Sequence, residues 1–305
     1  MKHVLLADLV NMSDPEAVLR ETRLVMESAF PGFDFVPVEA AFHDTTRLFL
    51  GLYPGYLSCS TPYHDLKHTT DCLLALTRLI HGACLEGACP GEDTVRDGLL
   101  SALFHDVGYL QRLDEPREGT GAKYTLVHVR RSANFAMEHG RRHGFSDTTI
   151  ENLKDIILCT DLVVDIDKLP FTGDDVRLIG RMLGTADLLG QMADRTYLEK
   201  LLYLYREFME GGMEGYATEL ELLRKTTGFH DFVRKRFSET LGGVNRHMLR
   251  HFQSRWNINE DLYEIATLHN MGYLKSLVET PDYRKGLRRE AIVKTIESRE
   301  TGNNR

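Results

Sequence analysis

Period-2 alternation, the mark of a half-buried strand, is almost missing from this 305-residue chain, whereas apolar residues recur at helical spacing nearly everywhere. The one short strand candidate, Phe33 to Val38, contains Pro37 and reads equally well as a loop. An all-α fold follows. With 42% hydrophobic and 27% charged residues, the chain can bury a large core. Its formal charge of −8 offers no basic field for a phosphate backbone, so a nucleic-acid polymer is an unsuitable partner. The opening MKHVLLADLV holds an apolar run too short for a membrane span and broken by Asp8, so neither an anchor nor a signal peptide is expected. Five cysteines, Cys59, Cys72, Cys84, Cys89 and Cys159, form an odd set without a CxxC pair. That argues against a disulfide framework and against a zinc knuckle, and the expected compartment is the cytoplasm.

The helices can be placed from their caps and stripes. Thr61-Pro62 reads as a cap and first turn, opening a helix with Leu66, Leu73, Leu76 and Ile80 inward and with His64 and His68 near its start. A second runs from about Asp93 to Val107 on a stripe of Val95, Leu99, Leu103 and Val107, with Gly108 as its stop and His105-Asp106 in its last turn. The polar stretch Glu118 to Ala122 reads as a loop, and a helix follows from about Tyr124 to His143. Ser146 or Asp147 caps the next, and Thr172 or Gly173 precedes another with Val176, Ile179, Leu183 and Ala186 inward. Asp161 and Asp187 fall near the ends of these two. Beyond Arg195 the chain stays helical, with breaks expected at Gly211-Gly212, Gly228 and Gly242-Gly243 and a basic tail at Arg284, Lys285, Arg288 and Arg289.

Histidine spacing selects little by itself. HxxxH occurs at His64/His68, His139/His143 and His247/His251, and each pair is expected to share a helix face. His-Asp occurs four times. Among these, His105-Asp106 ends the apolar run LLSALF, where burying an imidazole and a carboxylate carries a desolvation cost that metal ligation would offset. His230 and His247 lie among arginines and lysines and read as a solvated face. His139, His143, His247 and His251 are assigned to surface or packing.

Four stretches then occur in order: YHDLKHTTDC at Tyr63 to Cys72, LFHDVGY at Leu103 to Tyr109, ILCTDL at Ile157 to Leu162 and TADLLGQ at Thr185 to Gln191. Together they resemble the motifs of the HD-domain metal-dependent phosphohydrolases, and within that superfamily they are most similar to the cyclic-nucleotide phosphodiesterase branch. The resemblance covers roughly residues 60–195. It implies a helical metallohydrolase core over 41–210, preceded by a helical segment at 1–40. Residues 211–305 would follow as helices that pack on the core or form a contact between two copies.

Carried over position by position, the resemblance implies that His68, His105, Asp106 and Asp187 ligate a first divalent ion and that His64 is the general acid. Asp106 would bridge to a second ion, with a hydroxide between the two as nucleophile. One or two ions of manganese, iron, magnesium or zinc are thereby implied, with a small phosphoester or nucleotide as substrate. His128 is the best extra residue for a second metal or an anionic substrate. Arg130 and Arg131 beside it, and Gln191, are substrate-binding candidates by residue type. Asp71 and Asp161 would support the ligands from behind, or else pack and cap their helices. Tyr109 stands where phosphodiesterases carry a further histidine, and the lysine of the cyclic-dinucleotide branch is missing as well, which argues against that branch. A nucleoside monophosphate phosphatase, a metal-binding regulatory module without turnover, and an HD-type di-iron oxygenase are the alternatives.

Overall fold

A run of apolar residues on every side of a helix forces that helix to the middle, and the segment LKHTTDCLLALTRLIHGACL is such a run. In the computed structural model, which describes residues 4–287, every residue from His68 to Ala83 of this helix is buried. It is the fourth of thirteen α-helices among the described residues. In chain order these are α1 (Leu6–Leu9), α2 (Pro15–Ala29), α3 (Val36–Phe49), α4 (Leu66–Leu85), α5 (Glu92–Phe104), α6 (His128–Arg142) and α7 (Asp147–Leu158). They continue with α8 (Asp174–Met192), α9 (Tyr197–Glu210), α10 (Glu219–Glu239), α11 (His247–Trp256), α12 (Leu262–Leu277) and α13 (Tyr283–Gly286). Around α4 pack α2, α5, α8 and α11, while α6 and α7 close the outer side of α5. One hydrophobic cluster runs from Leu6 to Leu287, so α11 and α12 share the core that α4 and α8 build. Gly82 makes one crossing close enough for this: a Cβ there would stand 1.9 Å from the His247 carbonyl oxygen.

Several local expectations are corrected. No strand forms among the described residues, where the one isolated bridge joins Tyr56 and Arg112. The Phe33 to Val38 segment instead feeds α3, because Pro37 suits a first helical turn. Asp65, not Thr61, caps α4: its carboxylate accepts from the His68 amide at 2.8 Å, while the Thr61 hydroxyl donates to the His64 carbonyl at 3.0 Å. His64 therefore precedes the helix and does not share a helix face with His68. The second helix ends at Phe104, ahead of a short 3-10 turn over Val107–Tyr109. Gly228 interrupts nothing, since α10 runs through it. His247 is buried with its Nδ1 on Glu86 Oε2, and His230 is half-buried, so neither belongs to a solvated face.

Cys84 and Cys89 are disulfide-bonded at the end of α4. The odd cysteine count pointed away from such a bond, and a spacing of five with no CxxC gave no local signal for it. The cysteine argument for a cytoplasmic location therefore falls away. No helix among the described residues is long and apolar enough to cross a membrane. Of the expected basic tail, Arg288 and Arg289 lie outside the described residues.

Candidate metal centre

Four separate elements meet near the start of α4. His68 sits on the first turn of α4, and His105 and Asp106 follow the last residue of α5, where the apolar stripe runs out. Asp187 lies on α8, and His128 opens α6. Gly108 permits that last approach, because a Cβ there would stand 2.0 Å from the His128 carbonyl oxygen. His68, His105 and Asp106 are almost fully buried, and Asp187 is the most open of the four at 9% exposure.

The atoms that converge are the ones a cation would take. His68 Nε2 lies 3.1 Å from Asp187 Oδ1, 3.2 Å from Asp106 Oδ2 and 3.3 Å from His105 Nε2. His105 Nε2 lies 3.4 Å from Asp106 Oδ2. Ligand atoms about 2.1 Å from a common ion stand about 3.0–3.4 Å apart in octahedral or tetrahedral arrangements, so these spacings suit one. His105 Nδ1 is bonded to the Ala102 carbonyl at 2.8 Å. A carbonyl only accepts, so that nitrogen carries a proton and Nε2 is the ring atom left to face the cluster. Asp106 Oδ2, fully buried, finds no hydrogen-bond donor. Lone pairs outnumber protons here, and an added positive charge corrects the imbalance.

The electrostatics agree. Burial by itself would lower the basicity of His68, but the carboxylates of Asp106 and Asp187 facing its Nε2 overcome it and push the imidazole up to about 10. Burial likewise raises Asp106 and Asp187, yet the neighbouring His105 and His68 hold both carboxyls below their usual range. The described residues thus contain a buried His/Asp group that could hold a metal ion.

Around this cluster the expected supporting residues divide. Gln191 donates from Nε2 to Asp187 Oδ1 at 2.8 Å and accepts from the Tyr63 hydroxyl at 2.9 Å, so it orients a ligand rather than waiting for a substrate. Asp71 bonds no ligand side chain; it pairs with Lys67 at 2.5 Å, and Lys67 reaches Asp194 at 3.1 Å. Asp161 closes a turn onto the Val163 amide at 3.0 Å and is not brought to the cluster. Arg131 is fully engaged: it donates to the Gly108 and Leu110 carbonyls, forks onto Glu115 and stacks 3.7 Å over the Tyr124 ring. Arg130 is exposed and two residues on from His128, which turns it about 200° round the helix from that ring. Neither arginine lines the centre. The Gly119 to Ala122 loop is tied to Glu210 through Thr120 and to Ser60 through the Gly121 amide.

His128 does reach the centre. Its Nε2 lies 3.9 Å from Asp106 Oδ1, the oxygen opposite the one facing His68, and its Nδ1 is bonded to the Thr125 carbonyl at 2.7 Å. Burial lowers its basicity against the pull of Asp106, leaving a neutral imidazole. Tyr109 stacks against both His128 and His64, at 4.3 Å from each ring, and those two imidazoles lie 5.9 Å from one another.

The residue with no sequence signal is Glu207 on α9. It is 3% exposed, and its carboxylate accepts from His64 Nδ1 at 2.7 Å and from the Tyr63 amide at 2.7 Å. The Leu-rich stripe that carries it reads as core, and no motif surrounds it. A cavity of about 750 Å³ lies elsewhere, and Asp93, Asp97, Asp174 and Asp175 in its lining repel an anionic ester.

The profile of a family described as Npun_R2479-like matches residues 111–246. That span holds His128, Asp187 and Glu207 but begins after His64, His68, His105 and Asp106. No curated protein and no solved structure matches the chain.

Proposed function

We propose that this chain is a metal-dependent phosphohydrolase of the HD kind, acting on a phosphoester of nucleotide size, with cyclic nucleotides first among the substrates. The observation that carries the reading is the donorless buried Asp106 Oδ2 facing two imidazole Nε2 atoms and a second carboxylate. His68, His105, Asp106 and Asp187 would hold a first ion, and Asp106 Oδ1 with His128 would face a second. A divalent ion so held supplies Lewis acidity and ionises water at neutral pH.

The chain's own contribution is the acid. His64 is not among the converging atoms, yet its ring centroid lies 6.0 Å from that of His68. Glu207 accepts a hydrogen bond from Nδ1, which fixes the ring and leaves Nε2 as the nitrogen that would deliver a proton to the leaving oxygen. Tyr109 stacked on its face, at 17° between the planes, keeps the imidazole from turning away. A module that only bound metal would have no use for an acid held by a buried carboxylate. His128 beside Asp106 favours one second reading, a di-iron oxygenase, because a protein ligand on the second ion is what that chemistry adds.

Elemental analysis of the purified chain, followed by turnover of cyclic mononucleotides, cyclic dinucleotides, nucleoside monophosphates and bis-p-nitrophenyl phosphate with manganese, iron, magnesium and zinc, tests the proposal. His64→Ala is expected to keep its metal and lose roughly 10²–10⁴-fold in kcat, with a smaller loss when p-nitrophenolate departs, since that group needs little protonation. Equal metal loss in His64→Ala would make it a ligand. Tight metal-dependent nucleotide binding without turnover points instead to the regulatory module, and oxygen consumption by the reduced iron form to the oxygenase.

A further inference from the structure

The outer half of α6 carries a second set of metal-competent atoms. His139 and His143 stand one turn apart on the helix, with their rings stacked at 3.9 Å, and Asp44 of α3 faces both. Asp44 Oδ2 lies 3.2 Å from His139 Nε2 and 4.0 Å from His143 Nε2, and the three ligand atoms all fall within 4.8 Å of one another. His139 is eleven residues on from His128, about 17 Å along the helix, so this group is separate from the central cluster.

The donor atoms face one another. His143 Nδ1 donates to the His139 carbonyl at 2.8 Å, so Nε2 is the ring nitrogen left on the Asp44 side. His139 is 2% exposed and its Nε2 donates to Asp44 Oδ2 at 3.2 Å, while its buried Nδ1 has no hydrogen-bond partner. An ion on Nε2 would take the place of that proton, which the unpartnered Nδ1 can carry. The nearest competitor for Asp44 is Arg47, whose Nη1 is 3.6 Å from Oδ1 and leaves Oδ2 to the histidines.

We propose that Asp44, His139 and His143 form a second transition-metal site, independent of the central cluster, that takes zinc or a similar borderline ion on two imidazoles and one carboxylate. Such a donor set suits zinc, nickel or copper better than magnesium or calcium. A tetrahedral zinc ion sets its ligand atoms about 3.3–3.4 Å apart, close to the His139–Asp44 spacing. The longer His143 spacing closes by rotation of a side chain that is 43% exposed, and that exposed edge leaves the remaining coordination position to solvent. An ion there joins α3 to α6, whose first residue is His128.

Zinc alone is the probe, added to the full-length chain in the presence of a weak chelating indicator. Wild type is expected to bind one zinc equivalent more than His143→Ala, with Asp44→Asn matching His143→Ala. His105→Ala is expected to keep that equivalent, and cobalt substituted into His105→Ala should give visible d–d absorption that the His105→Ala/His143→Ala double variant lacks. His143 is exposed, so its loss leaves the fold intact, which circular dichroism checks. Equal zinc stoichiometry in wild type, His143→Ala and Asp44→Asn overturns the site. This outcome needs no turnover, so failure of the hydrolase reading and failure of the second site are told apart.

Discussion

The two His/Asp clusters share α6 and differ in how the chain builds them. The central one draws His68 from α4, His105 and Asp106 from just past α5, His128 from α6 and Asp187 from α8, and buries almost all of them. The outer one takes two ligands from neighbouring turns of one helix, adds one carboxylate and keeps an exposed edge. Local periodicity suffices for the outer set, whereas the inner set exists only when the whole bundle has closed. Depth also separates their chemistry: a buried donor set with an acid beside it can exclude water and direct a proton, while an exposed three-ligand set can clamp helices together.

The largest expected effect breaks the central cluster outright. Asp106→Ala removes the carboxylate that faces both ion positions of the central cluster, so the metal bound there and turnover should both vanish. Because an ion that binds only the folded state at a thousandfold excess over its Kd adds about 4 kcal/mol, scanning calorimetry in a His143→Ala background, which removes the outer site, should show the metal-dependent rise in Tm disappear when Asp106→Ala is added. Retention of that rise would move the metal away from both clusters. Next in size is Glu207→Gln, which leaves every ligand in place. Metal occupancy should hold while kcat falls roughly tenfold or more, less than for His64→Ala. The loss should shrink when p-nitrophenolate departs, since that group needs little help from the acid that Glu207 orients. A merely structural glutamate would lower stability and slow good and poor leaving groups alike.

The smallest effect concerns the outer cluster without metal. His139 is pushed from 6.5 down to about 4, so the unfolded chain binds a proton between those values that the folded chain does not. Its contribution therefore makes stability fall as pH drops from about 6.5 to 4. His139→Gln should flatten that part of the Tm–pH curve, measured with chelator present, and zinc should steepen it in wild type by competing with the proton.

Much of the frame is legible in the sequence because it rests on local rules. The Val176, Ile179, Leu183 and Ala186 stripe is buried as its spacing requires, and Ser146 caps α7 by accepting from the Thr149 amide at 3.1 Å. His68, His105 and Asp187 are brought together as their ordered motifs suggest. What escapes the sequence is set by contacts made far along the chain. His64/His68 has HxxxH spacing but no shared helix face, because Asp65 wins the cap with Lys200 of α9 at 3.1 Å from its carboxylate. Arg131 looks like a free cation until Glu115 and two carbonyls engage it. Glu207 sits in an apolar stripe, and only the closed bundle shows that it faces His64.

The grip of α9 on the start of α4 also has a consequence for how the protein is made. Tyr63 bonds Gln191 and Glu207, partners 128 and 144 residues further along, so the centre closes by some of the longest loops the chain contains. A nascent chain emerging at about 5–20 residues per second exposes His68 well before Asp187 has been synthesised. During that interval the early ligands can neither complete the donor set nor receive the support of Glu207. Any ion taken up by the inner centre would therefore have to wait until α9 has been made, and a chain terminated before α9 would carry all of the candidate ligands without the Glu207 that holds His64.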